Sequence, residues 1–161
     1  MTTNVLARPI PAAISALVPH IPLFSKHENK TETGAEKQNK LHTSLEDAIR
    51  NSGLTDGMTI SFHHAFRDGD KTVNLVMDKL AELGFKDLIL AASSLTNCHA
   101  PLLEHIRNGV VRKIYTSGLR GKLAEAISNG LMEEPVHIHS HGGRVHLIQS
   151  GELNIDVAFL G

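Results

Sequence analysis

Met58-Thr59-Ile60-Ser61-Phe62-His63-His64-Ala65-Phe66-Arg67-Asp68-Gly69-Asp70 joins an apolar run to a helical pattern, and its reading decides the fold. Met58 to Phe62 reads as a buried strand. Beyond Asp70, residues Val73, Val76, Met77, Leu80 and Leu83 fall at helical spacing, and Gly84 stops the helix. In open α/β sheets, ligands bind at such strand-to-helix junctions, beyond the carboxyl ends of the strands. Two adjacent histidines and an arginine there suit a pocket for an acidic acyl substrate. The plain alternative is a helix start capped by Asp68 or Asp70, with the phenylalanines in the core.

Outward from this stretch the same alternation repeats. Asp87 to Ala92 reads as a second strand, Pro101 to Arg107 as a short helix stopped by Gly109, and Val110 to Tyr115 as a third strand. A helix with Leu123, Ala126 and Ile127 inward ends at Gly130. Val136 to Ser140 reads as a fourth strand, His141-Gly142-Gly143 as a turn into a segment through Gly151, and Ile155 to Leu160 as a fifth strand. Upstream, Ser44 with Asp47 marks the start of a helix carrying Leu45, Ala48 and Ile49 on one face, ended by Gly53. Strands separated by helical segments of about 10–15 residues predict βαβ units, a mostly parallel sheet and helices on both faces, with near-continuous apolar strands. The expected class is α/β, as a three-layer α/β/α domain over residues 44–161. Residues 1–43 are expected to form an N-terminal extension. Four prolines limit Ala12 to Val18 to a short helix, and Ser25 to Lys40 has the composition of a polar linker, partly disordered.

The 161 residues fit one ordinary domain. A formal net charge of -1 gives no electrostatic case for nucleic acid, and no apolar run approaches the roughly 20 residues that span a bilayer. The one cysteine, Cys98, excludes an internal disulfide framework and suits a reducing, cytoplasmic setting.

Three loops at strand ends carry the candidate chemistry. The first is the opening stretch. In the second, Thr116-Ser117-Gly118-Leu119-Arg120-Gly121, glycines permit close backbone approach and the following helix start favours an anion, although glycine-rich loops are often only tight turns. Arg120 offers a bidentate contact to carboxylate or phosphate. The third is His137-x-His139-x-His141-Gly142-Gly143-Arg144. Alternation along a strand puts the three histidines on one side, so a metal site must be weighed. One strand face seldom converges three ligands on one ion, and no metal is expected; Gly142, Gly143 and Arg144 read better as an anion-accepting loop. Ser93 and Ser94 follow the second strand and suit hydrogen bonds to a substrate carbonyl or carboxylate. Cys98 beside His99 raises covalent catalysis, without a nucleophile-elbow pattern to support it.

Taken in order, these runs resemble the α subunit family of citrate lyase, within the CoA-transferase superfamily. The match is carried by Ser52-Gly53-Leu54-Thr55-Asp56-Gly57-Met58-Thr59-Ile60-Ser61-Phe62-His63-His64, Phe66-Arg67-Asp68-Gly69-Asp70, Ala91-Ala92-Ser93-Ser94-Leu95 and Cys98-His99-Ala100-Pro101-Leu102. It continues through Gly118-Leu119-Arg120-Gly121, Glu125-Ala126-Ile127-Ser128, Ser140-His141-Gly142-Gly143-Arg144, Ser150-Gly151-Glu152-Leu153 and Ile155-Asp156-Val157-Ala158-Phe159. The family run is usually three histidines, and here the third is Ala65.

The resemblance implies a CoA-transferase-like fold and the first half of a longer, two-half subunit. It implies exchange of the acetyl thioester on the lyase acyl carrier protein for citrate, giving citryl-carrier protein and acetate. The co-substrate is then a CoA-type thioester on the carrier's prosthetic arm (or acetyl-CoA), with no tightly bound cofactor. The implied partners are citrate, acetyl-carrier protein, the lyase β and γ subunits and further copies of the chain. His63 and His64 become the candidate catalytic residues. Phe66, Arg67, Ser93, Ser94, Ser117, Gly118, Leu119, Arg120, Gly121, His141, Gly142, Gly143 and Arg144 become the candidate substrate contacts. The alternative is a shortened, inactive α/β domain that serves assembly of the lyase complex.

Overall fold

The computed structural model describes residues 9, 11–13, 41–63 and 69–160. The chain divides into two units, Met1–Lys40 and Leu41–Gly161. The expected linker from Ser25 to Lys40 lies outside the described residues, as does most of the Ala12 to Val18 stretch. Of the first unit, residues 11–13 are exposed.

The second unit is α/β. Helix α1 (Leu45–Asn51) starts where expected, with Ser44 Oγ accepting from the Asp47 amide at 3.1 Å. It is followed by β1 (Thr59–His63), α2 (Thr72–Glu82), β2 (Leu88–Ala92), a short 3-10 turn (Asn97–His99), α3 (Leu102–Arg107) and β3 (Val111–Thr116). Helix α4 (Gly121–Ser128), β4 (His137–Ile138), α5 (His141–Ser150) and β5 (Val157–Leu160) complete the unit. All strand pairs are parallel, in the order β4-β3-β2-β1-β5. Asp156 ties β5 to the start of β1: its Oδ2 accepts from the Thr59 amide at 2.8 Å, and its own amide donates to Thr59 O at 3.0 Å.

The connections step one way from β1 to β4, then leap back across the sheet to β5. Right-handed crossovers therefore put α2, α3 and α4 on one face and α5 on the other. Packing agrees. Ile60, Phe62, Leu90 and Ile114 share one core cluster with Val73, Val76, Met77, Leu80, Leu102, Ile106 and Leu123. Phe62 stacks on its register partner Phe159, ring centroids 5.4 Å apart. Ser61 alternates with Ile60 and Phe62, so it faces the other way, and it receives a hydrogen bond from Arg144 of α5.

That second face departs from the expectation of apolar strands on both sides. By register it carries Ile89, Ala91 and Ala158, but also Thr59, Ser61, Lys113, Tyr115 and His137. Helix α5 offers it no apolar stripe: Val145 and Ile148 are exposed, and the buried residue is Arg144. Lys113 instead lies 5.3 Å from the Tyr115 ring centroid, and Tyr115 stacks on His137 at 4.6 Å.

The fourth strand is also shorter than Val136 to Ser140. After Ile138, the His139 amide still donates to Thr116 O at 3.0 Å, but Ser140 Oγ accepts from the Gly143 amide at 2.9 Å and starts α5. His141, Gly142 and Gly143 are therefore the first turn of a helix, and the three histidines do not share one strand face.

Candidate active site at the carboxyl edge of the sheet

The loop after β3 leads to α4 on one face, whereas the segment after β4 leads to α5 on the other. Neighbouring strands whose connections part in this way open a crevice at their carboxyl ends, where ligands of α/β proteins bind. Backbone hydrogen bonds align the segments that leave the strands. The Ser117 amide donates to Ser93 O at 2.9 Å, Leu95 N to Gly118 O at 2.8 Å, and Arg120 N to Leu95 O at 3.1 Å. With His139 N on Thr116 O, the residues after β2, β3 and β4 form one continuous rim.

This end of the sheet holds buried polar atoms without a partner among the described residues. Among the described residues, the buried side-chain atoms without a hydrogen-bond partner are Asp70 Oδ2, Asn74 Oδ1, Ser93 Oγ, Ser117 Oγ, His139 Nε2 and Arg144 Nη1. All lie at the carboxyl end of the sheet or in the helices that leave or reach it. Buried polar groups are nearly always paired, so such a row asks for an explanation. Arg144 is the pivot. It is 8% exposed, its Nη2 donates to Ser61 Oγ at 2.7 Å and to Ala91 O at 3.3 Å, and no carboxylate pairs with it among the described residues. Burial lowers its pKa from the ordinary arginine value. Loss of hydration with no counter-charge makes this cation ready to receive an anion.

The expected contacts separate accordingly. Ser93, Ser117 and Arg144 occupy the rim, with Ser94 half-buried beside it, its Cβ 3.8 Å from where a Cβ on Gly118 would sit. Gly118 also donates its amide to Thr116 Oγ1 at 3.3 Å, fixing the loop. Leu119 bridges to Leu95 and packs against the core, a structural task. Gly121 has φ +65°, and a Cβ there would come within 1.8 Å of Asn97 Oδ1, so glycine is required at this approach. Arg120 is exposed as the residue preceding α4, and His141 and Gly142 are exposed in the first turn of α5. Gly143 is confined, with Ser140 Oγ 3.2 Å and His139 Cβ 3.3 Å from a would-be Cβ. His63 is exposed at the carboxyl end of β1, beside Leu160. His64, Phe66 and Arg67 lie outside the described residues. Asp70 Oδ1 accepts from Thr72 N at 2.9 Å in a turn just ahead of α2, whose N-cap is Lys71 with no side-chain cap, so Asp70 is not the helix cap that was expected.

Two rim residues, Ser61 and His139, were not among the expected contacts. Ser61 is a lone hydroxyl inside an apolar run, and His139 is the middle of the histidine alternation. Those are the only marks either leaves in the sequence.

The Cys98–His99 pair is organised otherwise. His99 Nδ1 accepts from the Thr96 amide at 2.9 Å and completes a capping box, while Cys98 Sγ sits 3.2 Å from Thr96 Oγ1. Among the described residues, no group of three or more His, Cys, Asp or Glu side chains is placed to hold a metal. A cavity of about 440 Å³ lies at the opposite, amino edge of the sheet, lined by Asp87, Ile106, Arg107, Arg112, Leu131 and Met132 among others. Its arginines are already paired, Arg107 with Glu104 at 2.5 Å and Arg112 with Glu134. The unspent polar groups are at the other end.

Fold and rim together define a parallel α/β domain with buried, unpartnered polar groups at a topological switch point. Comparison with known proteins then names the family. The profile of "Citrate lyase, alpha subunit" matches residues 38–161, and the chain belongs to that family. It is 74% identical over 125 residues to the citrate lyase alpha chain of Escherichia coli K12, covering 78% of this chain and 24% of that one. Against the citrate lyase alpha chain of Klebsiella pneumoniae it is 65% identical over 147 residues, covering 91% and 29%. A crystal structure from Streptococcus mutans, described as the alpha subunit of citrate lyase in complex with citrate, superposes with a TM-score of 0.76 at 54% identity, covering 78% of this chain and 24% of that one. The chain thus spans about a quarter of the length of these relatives. No helix among the described residues is long and apolar enough to cross a membrane.

Proposed function

We propose that this chain contributes one wall of the active site of a citrate:acetyl-carrier-protein transferase. In that reaction citrate takes the place of acetate on the carrier thiol, yielding citryl-carrier protein and free acetate. The observation that carries the reading is Arg144, buried and without a carboxylate partner among the described residues, at the same end of the sheet as the unpartnered Ser93 and Ser117 hydroxyls, in a chain 65–74% identical to citrate lyase alpha chains. Citrate is a polyanion, and a guanidinium with a free Nη1 and two hydroxyl donors match its carboxylates in charge and hydrogen-bonding sense. His63 at the end of β1 is the candidate to stabilise negative charge that develops on the acyl oxygen, with His64, Phe66 and Arg67 following it in sequence.

This chain's part is to bind and orient citrate. No nucleophile is asked of it, which agrees with Cys98 and His99 being engaged in a cap. The CoA-type thioester arrives as co-substrate on the carrier's arm, and the lyase β and γ subunits and further copies of the chain are the proposed partners. With Cys98 as its one cysteine, the chain suits a cytoplasmic enzyme.

Acetate release measures the activity. The chain is mixed with acetyl-carrier protein and citrate, together with a polypeptide supplying the part of the alpha chain of the relatives that it does not span. Citrate-dependent acetate release is expected. No release from that mixture, when a full-length alpha chain is active under the same conditions, refutes the reading.

A further inference from the structure

We propose that His139 is a specificity residue whose Nε2 accepts a hydrogen bond from the hydroxyl group of a hydroxy-polycarboxylate held at the rim. The proposal rests on the citrate reading above and adds to it the discrimination of hydroxyl-bearing from hydroxyl-free acids.

The tautomer is set by the contacts. His139 Nδ1 lies 3.1 Å from Ser140 O. A carbonyl oxygen only accepts, so Nδ1 carries the proton, and in the neutral ring Nε2 is left with a lone pair. That Nε2 is buried and has no partner among the described residues. The Nδ1 contact to Ser140 O orients the ring, and the backbone that carries it is pinned on both sides. The His139 amide is held by Thr116 O, and Ser140 caps α5 through the Gly143 amide.

The other unpartnered groups in the segments after β2, β3 and β4 are of the opposite kind. Arg144 Nη1 only donates, and the Ser93 and Ser117 hydroxyls can donate to a carboxylate. A carboxylate has no proton to give, so a ligand made only of carboxylates satisfies those three and leaves His139 Nε2 bare. A ligand that also bears a hydroxyl satisfies all four. Citrate is such a ligand. Tricarballylate, the same triacid without the hydroxyl, is not. A site with a buried acceptor aimed at a hydroxyl rejects the analogue that lacks it, because the acceptor is then left unpaired.

The test is a titration of the 161-residue chain with citrate and with tricarballylate, repeated for His139→Ala and His139→Gln. The wild-type chain is expected to prefer citrate by roughly tenfold, the worth of one net hydrogen bond between neutral groups. In His139→Ala, citrate affinity should fall to the tricarballylate level while tricarballylate affinity stays put. In His139→Gln the amide oxygen can accept in place of Nε2, and part of the preference should return; this variant also carries the comparison should His139→Ala fail to fold. Equal binding of the two acids by the wild type, or an equal loss of both in the variants, overturns the proposal and leaves the citrate reading standing. Failure of the wild type to bind either acid overturns the citrate reading, and this inference with it.

Discussion

Replacing Arg144 by methionine separates what this residue does for the fold from what it does for a ligand. A buried cation without a counter-charge forfeits hydration worth several kcal/mol, and methionine of similar volume removes that penalty. Against this stand the two hydrogen bonds that Arg144 Nη2 makes, to Ser61 Oγ and Ala91 O. Hydrogen bonds to charged groups are worth about 1.5–3 kcal/mol each, so about 3–6 kcal/mol is lost. The two sums nearly cancel, and the stability of Arg144→Met should lie within about 2 kcal/mol of wild type. The Ser61 hydroxyl is stranded by the change, so adding Ser61→Ala should recover about 1 kcal/mol. Binding should not cancel at all. A ligand at a hundredfold its dissociation constant stabilises a protein by about 2.7 kcal/mol, and urea unfolding with and without citrate reads that difference directly. Wild type should show the increment, and Arg144→Met should show none. An Arg144→Met chain that loses far more than 2 kcal/mol yet keeps the full citrate increment would make Arg144 a structural strut, and the anion-site reading would fall.

Three other contacts can be tested in the same way. Asp156→Ala removes the carboxylate that accepts from the Thr59 amide and should cost about 1–3 kcal/mol in urea unfolding while leaving the citrate increment intact. Gly121→Ala forces a side chain into a left-handed backbone position against Asn97 and should cost at least about 1 kcal/mol, with part of the loss returned by Asn97→Ala in the same chain. Glu134 has its carboxyl pKa lowered chiefly by its hydrogen bond with Arg112, with Lys113 adding to the effect. Its contribution is present above the ordinary glutamate pKa and is lost as pH falls through the depressed folded value. Glu134→Gln should therefore weaken the chain slightly near neutrality and flatten the acid side of its stability profile; an unchanged profile would count against the pairing.

The order of strands and helices was legible because it rests on local patterns. The run before His63, the helical spacing from Val73 to Leu83 and the Gly84 and Gly109 stops each carry their own signal, and the structure places each element within a residue or two. The error fell at His137 to Arg144. Two consecutive glycines disfavour a helix interior, so the segment reads as a turn. The Ser140 cap and the confined space at Gly143 outweigh that preference, and neither is visible without the fold. The same limit governs the site. Arg144 could be singled out in the sequence as a cation after two glycines, but not as a helical residue reaching under β1 and β2. Ser61 and His139 gain their places from register alone: Ser61 from alternation against Phe62, His139 from its amide on Thr116 O. Residues whose role comes from a partner far away in sequence leave no periodic trace.

What remains is why a domain would retain such groups. Each buried polar atom left without a partner costs about 1–3 kcal/mol. The six at the carboxyl edge would together approach or exceed the roughly 5–15 kcal/mol by which a domain is stable. They are therefore met in solution, by water or by a ligand, and only their location says which was selected for. Scattered through the core they would suggest packing faults. Instead all six lie toward the carboxyl end of the sheet, Asp70 and Asn74 around the start of α2, and Ser93, Ser117, His139 and Arg144 in the segments after β2, β3 and β4. Apolar residues at Ser61, His139 and Arg144 would give a sheet buried on both sides and a more stable fold. The polar choice is costly for folding, and the proposed bound acid would account for it.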